Sequence, residues 1–99
     1  MTLRQQQSKF AKMVPLLVLF AYEQGYEITY GDAEARDGHK SGSFHYKKLA
    51  IDLNLFKNGH YLTSTKSHEP LGIFWESIDP ECTWGGRWGD GNHYSYGEK

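Results

Sequence analysis

The sequence predicts an α+β domain, a small antiparallel sheet with flanking helices. Three observations carry this expectation. Apolar residues recur at helical spacing near the N-terminus, a period-two run followed by a hairpin signal fills the middle, and the elements run helix, strand, loop, hairpin, helix, then a segment readable as loop or strand. With 99 residues the chain fits one domain, taken here as residues 1–99.

Residues Thr2 to Gln24 read as the first helix. Phe10, Met13, Val14, Leu17, Phe20 and Ala21 fall on one face, while Gln5, Gln6, Gln7, Lys9 and Lys12 supply the wet side. Gly25 is placed to close the helix, and Pro15 is expected to kink it or to mark the start of its second half. The apolar run Val14–Phe20 follows Arg4, Lys9 and Lys12, as the core of a secretory signal would. Pro15 interrupts it, however, no A-x-A site follows, and seven residues fall far short of a bilayer span of ~20. A cytoplasmic product with no export signal of its own and no membrane insertion is therefore expected.

Tyr26–Tyr30 alternates and is rich in strand formers. The stretch from Gly31 to Phe44 is a long polar loop without hydrophobic period, and such loops are often functional. Leu49–Phe56 is the clearest strand: Leu49, Ile51, Leu53 and Leu55 share one face, and Ala50, Asp52 and Asn54 the other. Asn58-Gly59 follows as a hairpin turn, with His60–Thr63 returning. Pro70–Ile78 reads as a short helix on the sheet, ended by Pro80. The stretch Trp84–Tyr96 packs four glycines, two tryptophans and two tyrosines into thirteen residues.

Composition narrows function. A net charge of −1 without blocks of like charge gives no nucleic-acid footprint. An aromatic content of 15% with 11 glycines suits a compact fold with tight loops, not disorder. Cys82 is the one cysteine, which excludes an internal disulfide and a cysteine-rich zinc site. It reads as a small buried filler rather than a nucleophile. Any metal must therefore be held by histidines and carboxylates.

A carboxylate in mid-strand is disfavoured, and Asp52 by itself would read as part of a solvated outer face. Its neighbours raise another possibility. His45 lies seven residues earlier, at the end of the long loop, and His93 lies three residues after Asp90 in the glycine- and tryptophan-rich segment. Two imidazoles, one carboxylate and a water make the shell of a catalytic zinc, and a further acid can serve as base. Spacing alone does not single out this set among five histidines.

The motifs add what spacing cannot. Ser43-Phe44-His45, continued through Ala50-Ile51-Asp52, resembles the S-x-H-x-x-G-x-A-x-D signature of the D-alanyl-D-alanine carboxypeptidase and L-alanyl-D-glutamate peptidase family of peptidoglycan zinc peptidases. That family also carries a Trp-Gly-Gly-x-Trp stretch followed by an acid, two residues and a histidine. Here the stretch is Trp84-Gly85-Gly86-Arg87-Trp88, then Asp90-Gly91-Asn92-His93. The resemblance extends to the hairpin, the aromatic helix with Trp75 and the N-terminal helix, so it covers nearly the whole chain. It implies the fold shared by hedgehog proteins and D-Ala-D-Ala peptidases, with one Zn2+ at the sheet face. It further implies His45, Asp52 and His93 as zinc ligands, Asp90 as catalytic base and Arg36 as a contact to substrate or oxyanion. Ser43 would support the loop or the substrate.

The implied substrate is a peptidoglycan stem peptide cut between L-Ala and D-Glu, as in small phage lysis enzymes, or, second, at D-Ala-D-Ala. The enzyme would be a monomer made in the host cytoplasm that reaches the wall after membrane permeabilisation. His₂Asp with an open position suits zinc best among divalent ions.

Two departures stand out. The motif glycine is Lys48, which would be strained if that position needs positive φ. The usual Phe-Glu after the last histidine is Tyr94-Ser95, which removes a carboxylate that could orient a zinc histidine. An inactive zinc-bearing cell-wall or protein-binding module is therefore the alternative. A wall-binding surface built from Trp75, Trp84 and Trp88 ranks below both, because tryptophans beside glycines usually complete a core. His60 and His68 are expected to be solvated, and His39, six residues before His45, has no assigned role.

Overall fold

Helix α1 (Leu3–Glu23) begins at a capping box. The Gln5 amide donates to Thr2 Oγ1 at 3.1 Å and the Thr2 amide to Gln5 Oε1 at 2.8 Å, so two helix-end donors are satisfied reciprocally. The helix stops at Gly25, whose φ of +89° suits a residue without a Cβ. The Tyr26 amide donates to the Ala21 carbonyl and the Gly25 amide to that of Tyr22, which forms a Schellman motif. Between these ends the helix runs through Pro15 as one element, with Pro15 and Ala11, whose carbonyl loses its helical donor, both exposed. Phe10, Met13, Val14, Leu17 and Ala21 are buried as the spacing predicts, and Phe20 stacks on Phe74 with ring centroids 4.1 Å apart.

These features come from a computed structural model that describes residues 1–31, 44 and 47–98. Beyond α1 it contains β1 (Glu27–Tyr30), β2 (Ala50–Lys57), β3 (His60–Leu62), α2 (Glu69–Ile78), β4 (Cys82–Trp84) and β5 (His93–Tyr96). Single 3₁₀ turns lie at Lys66–His68 and Gly85–Trp88. Among the described residues the five strands form one antiparallel sheet of order β1-β2-β5-β4, with β3 also on β2. The predicted α+β class with an antiparallel sheet and flanking helices is thus the observed one. No helix among the described residues is long and apolar enough to cross a membrane.

Strand β2 organises the sheet. Its Leu53–Phe56 half pairs with β1, and its opposite edge is shared: Ala50–Asp52 pairs with β5 and Leu55–Lys57 with β3. The Leu53 amide donates to the Asn92 carbonyl at 2.9 Å, joining the two segments of that edge. Asn58 and Gly59 both have positive φ, 52° and 78°, the conformation of a type I′ hairpin. The period-two expectation for β2 holds: Ile51, Leu53 and Leu55 are buried, while Asp52 and Asn54 are only partly covered. Helix α2 lies against this core face and ends at Ile78, because Asp79 precedes Pro80 and takes an extended conformation. Trp75 sits at the centre, edge-on to Phe10 and Tyr94, and donates its indole N–H to the Ser95 carbonyl at 2.9 Å.

Candidate functional site

The face of β2 opposite the helices carries Asp52. In the β2–β5 ladder Asp52 stands directly across from His93, so their side chains rise from the same side of the sheet. His93 Nδ1 lies 3.5 Å from Asp52 Oδ1, and His93 Nε2 lies 2.6 Å from Glu98 Oε1. Trp88 covers the imidazole at a centroid distance of 5.8 Å. Both His93 and Asp52 are largely removed from solvent.

The tryptophan–glycine motif holds this corner together. A Cβ on Gly85 would lie 2.3 Å from the Asp90 carbonyl oxygen and 2.7 Å from His93 Cβ. Only glycine lets the 3₁₀ turn press against the segment carrying both residues. The Asp90 amide donates to the Gly85 carbonyl at 2.9 Å, and the His93 amide to the Asp90 carbonyl at 3.2 Å. Trp84 lies between Gly72 and Gly86, where added Cβ atoms would come within 2.1 and 2.2 Å of its ring, and its indole N–H donates to the Gly91 carbonyl at 2.7 Å. Trp75 and Trp84 are therefore core residues, whereas Trp88 is half exposed.

Asp90 is exposed on the turn that leads into β5. It borders a polar cavity of about 170 Å³ shared with Asn54, Thr65, His68 and Asn92. His45, Ser43, Arg36 and His39 lie outside the described residues. The residues beside them are held: the Leu49 amide donates to the Phe44 carbonyl at 2.9 Å, and Gln7 donates to the Lys47 carbonyl at 2.7 Å. Lys48 adopts φ +59°. The position does take the left-handed conformation that a glycine would favour, and lysine occupies it at some steric cost.

The electrostatics follow from burial and pairing. Burial alone would lower the pKa of His93, but the hydrogen bonds and charges of Asp52 and Glu98 outweigh it and hold the imidazole above its ordinary value. His68 corrects the expectation that it is solvated. It is buried at the start of α2, with Nδ1 sharing a 2.8 Å hydrogen bond with the Tyr94 hydroxyl, and burial pulls its pKa down to about 4. Its polar sequence neighbours gave no sign that the 3₁₀ turn would direct it inward. Cys82 is buried against Met13, and burial, with Asp79 adding to it, pushes its thiol up to about 12, so it remains a protonated filler.

Two of these side chains, His93 and Asp52, are spaced as a pair of ligands to one metal would be. Two donors on one tetrahedral zinc lie about 3.4 Å apart, given Zn–N of ~2.0–2.1 Å and Zn–O of ~2.0–2.2 Å. The separation between His93 Nδ1 and Asp52 Oδ1 is 3.5 Å. Among the described residues no group of three or more His, Cys, Asp and Glu side chains is gathered to hold an ion. Two of the three expected donors are thus brought together, and the third, His45, lies outside the description. Sequence reasoning missed Glu98, since nothing in the motif points five residues past the histidine. Comparison with family models, curated proteins and solved structures finds no match.

Proposed function

We propose that this chain is a zinc-dependent peptidase that hydrolyses a stem-peptide amide bond of peptidoglycan. The reading rests above all on the juxtaposition of Asp52 and His93, 41 residues apart in sequence, at a donor–donor distance that suits one zinc ion. Its support is the paired motifs, whose glycines have steric work to do at this corner, and the position of Asp90 on the turn leading to His93.

In this reading His45, Asp52 and His93 hold one Zn2+. When bound, the ion supplies Lewis acidity that makes a water a better nucleophile near neutral pH and polarises a carbonyl. Asp90, exposed at the edge of the polar cavity, takes a proton from the attacking water and returns it to the leaving nitrogen. Arg36 offers its guanidinium to the developing oxyanion, and Ser43 supports the loop or the substrate. The bond between L-Ala and D-Glu is the first expectation, and D-Ala-D-Ala the second. A monomer made in the cytoplasm and released to the wall by membrane permeabilisation completes the reading.

The deciding experiment is incubation of the zinc-loaded protein with purified peptidoglycan, followed by mass spectrometry of the soluble fragments. New N-terminal D-Glu establishes L-alanyl-D-glutamate cleavage, and free D-Ala establishes the carboxypeptidase. Intact peptidoglycan from a protein holding one equivalent of zinc overturns the peptidase reading in favour of an inactive binding module.

A further inference from the structure

We infer that Glu98 is the positioning residue for His93, fixing the imidazole so that Nδ1 presents its lone pair to a metal shared with Asp52. The inference rests on reading His93 and Asp52 as metal ligands and adds a residue that the motifs do not contain.

The geometry is specific. The two nitrogens of an imidazole point in different directions, so an ion placed between Nδ1 and Asp52 cannot also be reached through Nε2. With Nδ1 engaged, neutral histidine carries its proton on Nε2 and needs an acceptor there. Glu98 Oε1 stands 2.6 Å from that nitrogen, within hydrogen-bond reach, and a carboxylate acceptor makes a stronger bond than a neutral one. Glu98 is not gathered with His93 and Asp52 into a three-donor group, which agrees with its place on the far side of the ring.

The chain is shaped to deliver this carboxylate. Five residues of continued strand would carry Glu98 roughly 16 Å from His93. Gly97 instead takes φ +84° and donates its amide to the Glu81 carbonyl at 2.7 Å, so the chain turns after β5. The position two residues after His93 cannot serve in its place. Ser95 is fully buried, its hydroxyl donates to the Thr83 carbonyl and its own carbonyl receives Trp75. A glutamate there would have to bury its charge in the sheet. The carboxylate that Ser95 does not provide comes from Glu98, and such partners typically contribute 10–100-fold to metal affinity.

The test is zinc affinity of the full chain, measured by competition with a chromophoric chelator for wild type, Glu98→Gln, Glu98→Ala and Asp52→Asn, with ¹⁵N NMR of the His93 ring in the zinc-loaded protein. Glu98→Ala should weaken zinc binding about 10–100-fold, Glu98→Gln should fall between it and wild type, and the wild-type ring should carry its proton on Nε2. Unchanged affinity in Glu98→Ala, or a proton on Nδ1, overturns the assignment. So does a loss in Glu98→Ala as complete as in Asp52→Asn, which would make Glu98 a ligand. Wild-type zinc affinity in Asp52→Asn would instead sink the underlying metal reading, so the two failures are distinguishable.

Discussion

Acidification should destabilise this protein through His68. Unfolded, the side chain takes up a proton near its ordinary pKa of ~6.5; folded, it resists until about pH 4, because it is buried beside Tyr94. Between those values the unfolded chain binds more protons, so stability is fully present above pH 6.5 and declines as pH falls through the window. A gap of roughly 2.5 in pKa, at ~1.36 kcal/mol each, amounts to about 3 kcal/mol. For a domain of this size that lowers Tm by on the order of 12–24 °C. Carboxylates also titrate in this range, so the measurement is a difference. Urea unfolding of wild type and His68→Asn, whose amide can still reach the Tyr94 hydroxyl, is followed at pH 7, 6, 5 and 4. The stability advantage of wild type over the variant should shrink by about 3 kcal/mol from pH 7 to pH 4. A difference that stays flat, or an NMR titration of His68 with its midpoint near 6.5, would refute the reasoning.

Other expectations can be checked with the same material. Gly86→Ala places a Cβ 2.2 Å from the Trp84 ring, which Gly72 blocks on its other flank. Overpacking together with loss of the indole hydrogen bond should cost roughly 2–5 kcal/mol, read by denaturant unfolding; wild-type stability would show that the ring is not so confined. Lys48→Gly relieves a left-handed lysine at φ +59°. Relief of roughly 1–2 kcal/mol, less the roughly 0.5–1 kcal/mol entropy cost of glycine, leaves a gain of about 0.5–1 kcal/mol, and a destabilised variant would contradict it. Asp90→Ala should retain one equivalent of zinc yet lose ~10²–10⁴-fold in peptidoglycan hydrolysis; an active variant would remove Asp90 as the base.

Much of the fold was legible because its signals are local. The stop at Gly25, the alternation of β2 and the Asn58-Gly59 turn each depend on a few neighbouring residues, and each took the expected form; the capping box at Thr2 is equally local but was not read. The C-terminal segment was harder. Glycines and tryptophans obscure strand periodicity, so β4 and β5 could be read only as loop or strand. The pairing of β5 with β2, and of β4 with β5, is a long-range choice that no short window records. Asp52 stood out as a polar residue on the open face of a good strand, and His93 through its motif, but the ladder that sets them side by side becomes visible only in three dimensions. His68 was misread because burial there depends on Tyr94, 26 residues away. Glu98 was missed because its partner is reached by a turn at Gly97, not by helical or strand spacing.

The alternation of β5 makes the site a matter of odd and even. His93 and Ser95 occupy the side of the sheet that carries Asp52, while Tyr94 and Tyr96 fill the helix-facing core. A slip of one residue against β2 would send His93 inward and turn Tyr94 outward, exchanging an imidazole for a phenol beside Asp52. The sheet would keep most of its hydrogen bonds while losing both its aromatic core contact and its metal-binding pair. Gly85 fits closely against the Asp90 carbonyl and His93 Cβ, so it fixes how the turn before β5 presents His93. A bulky residue at that position would therefore threaten the identity of the site before it dissolved the domain.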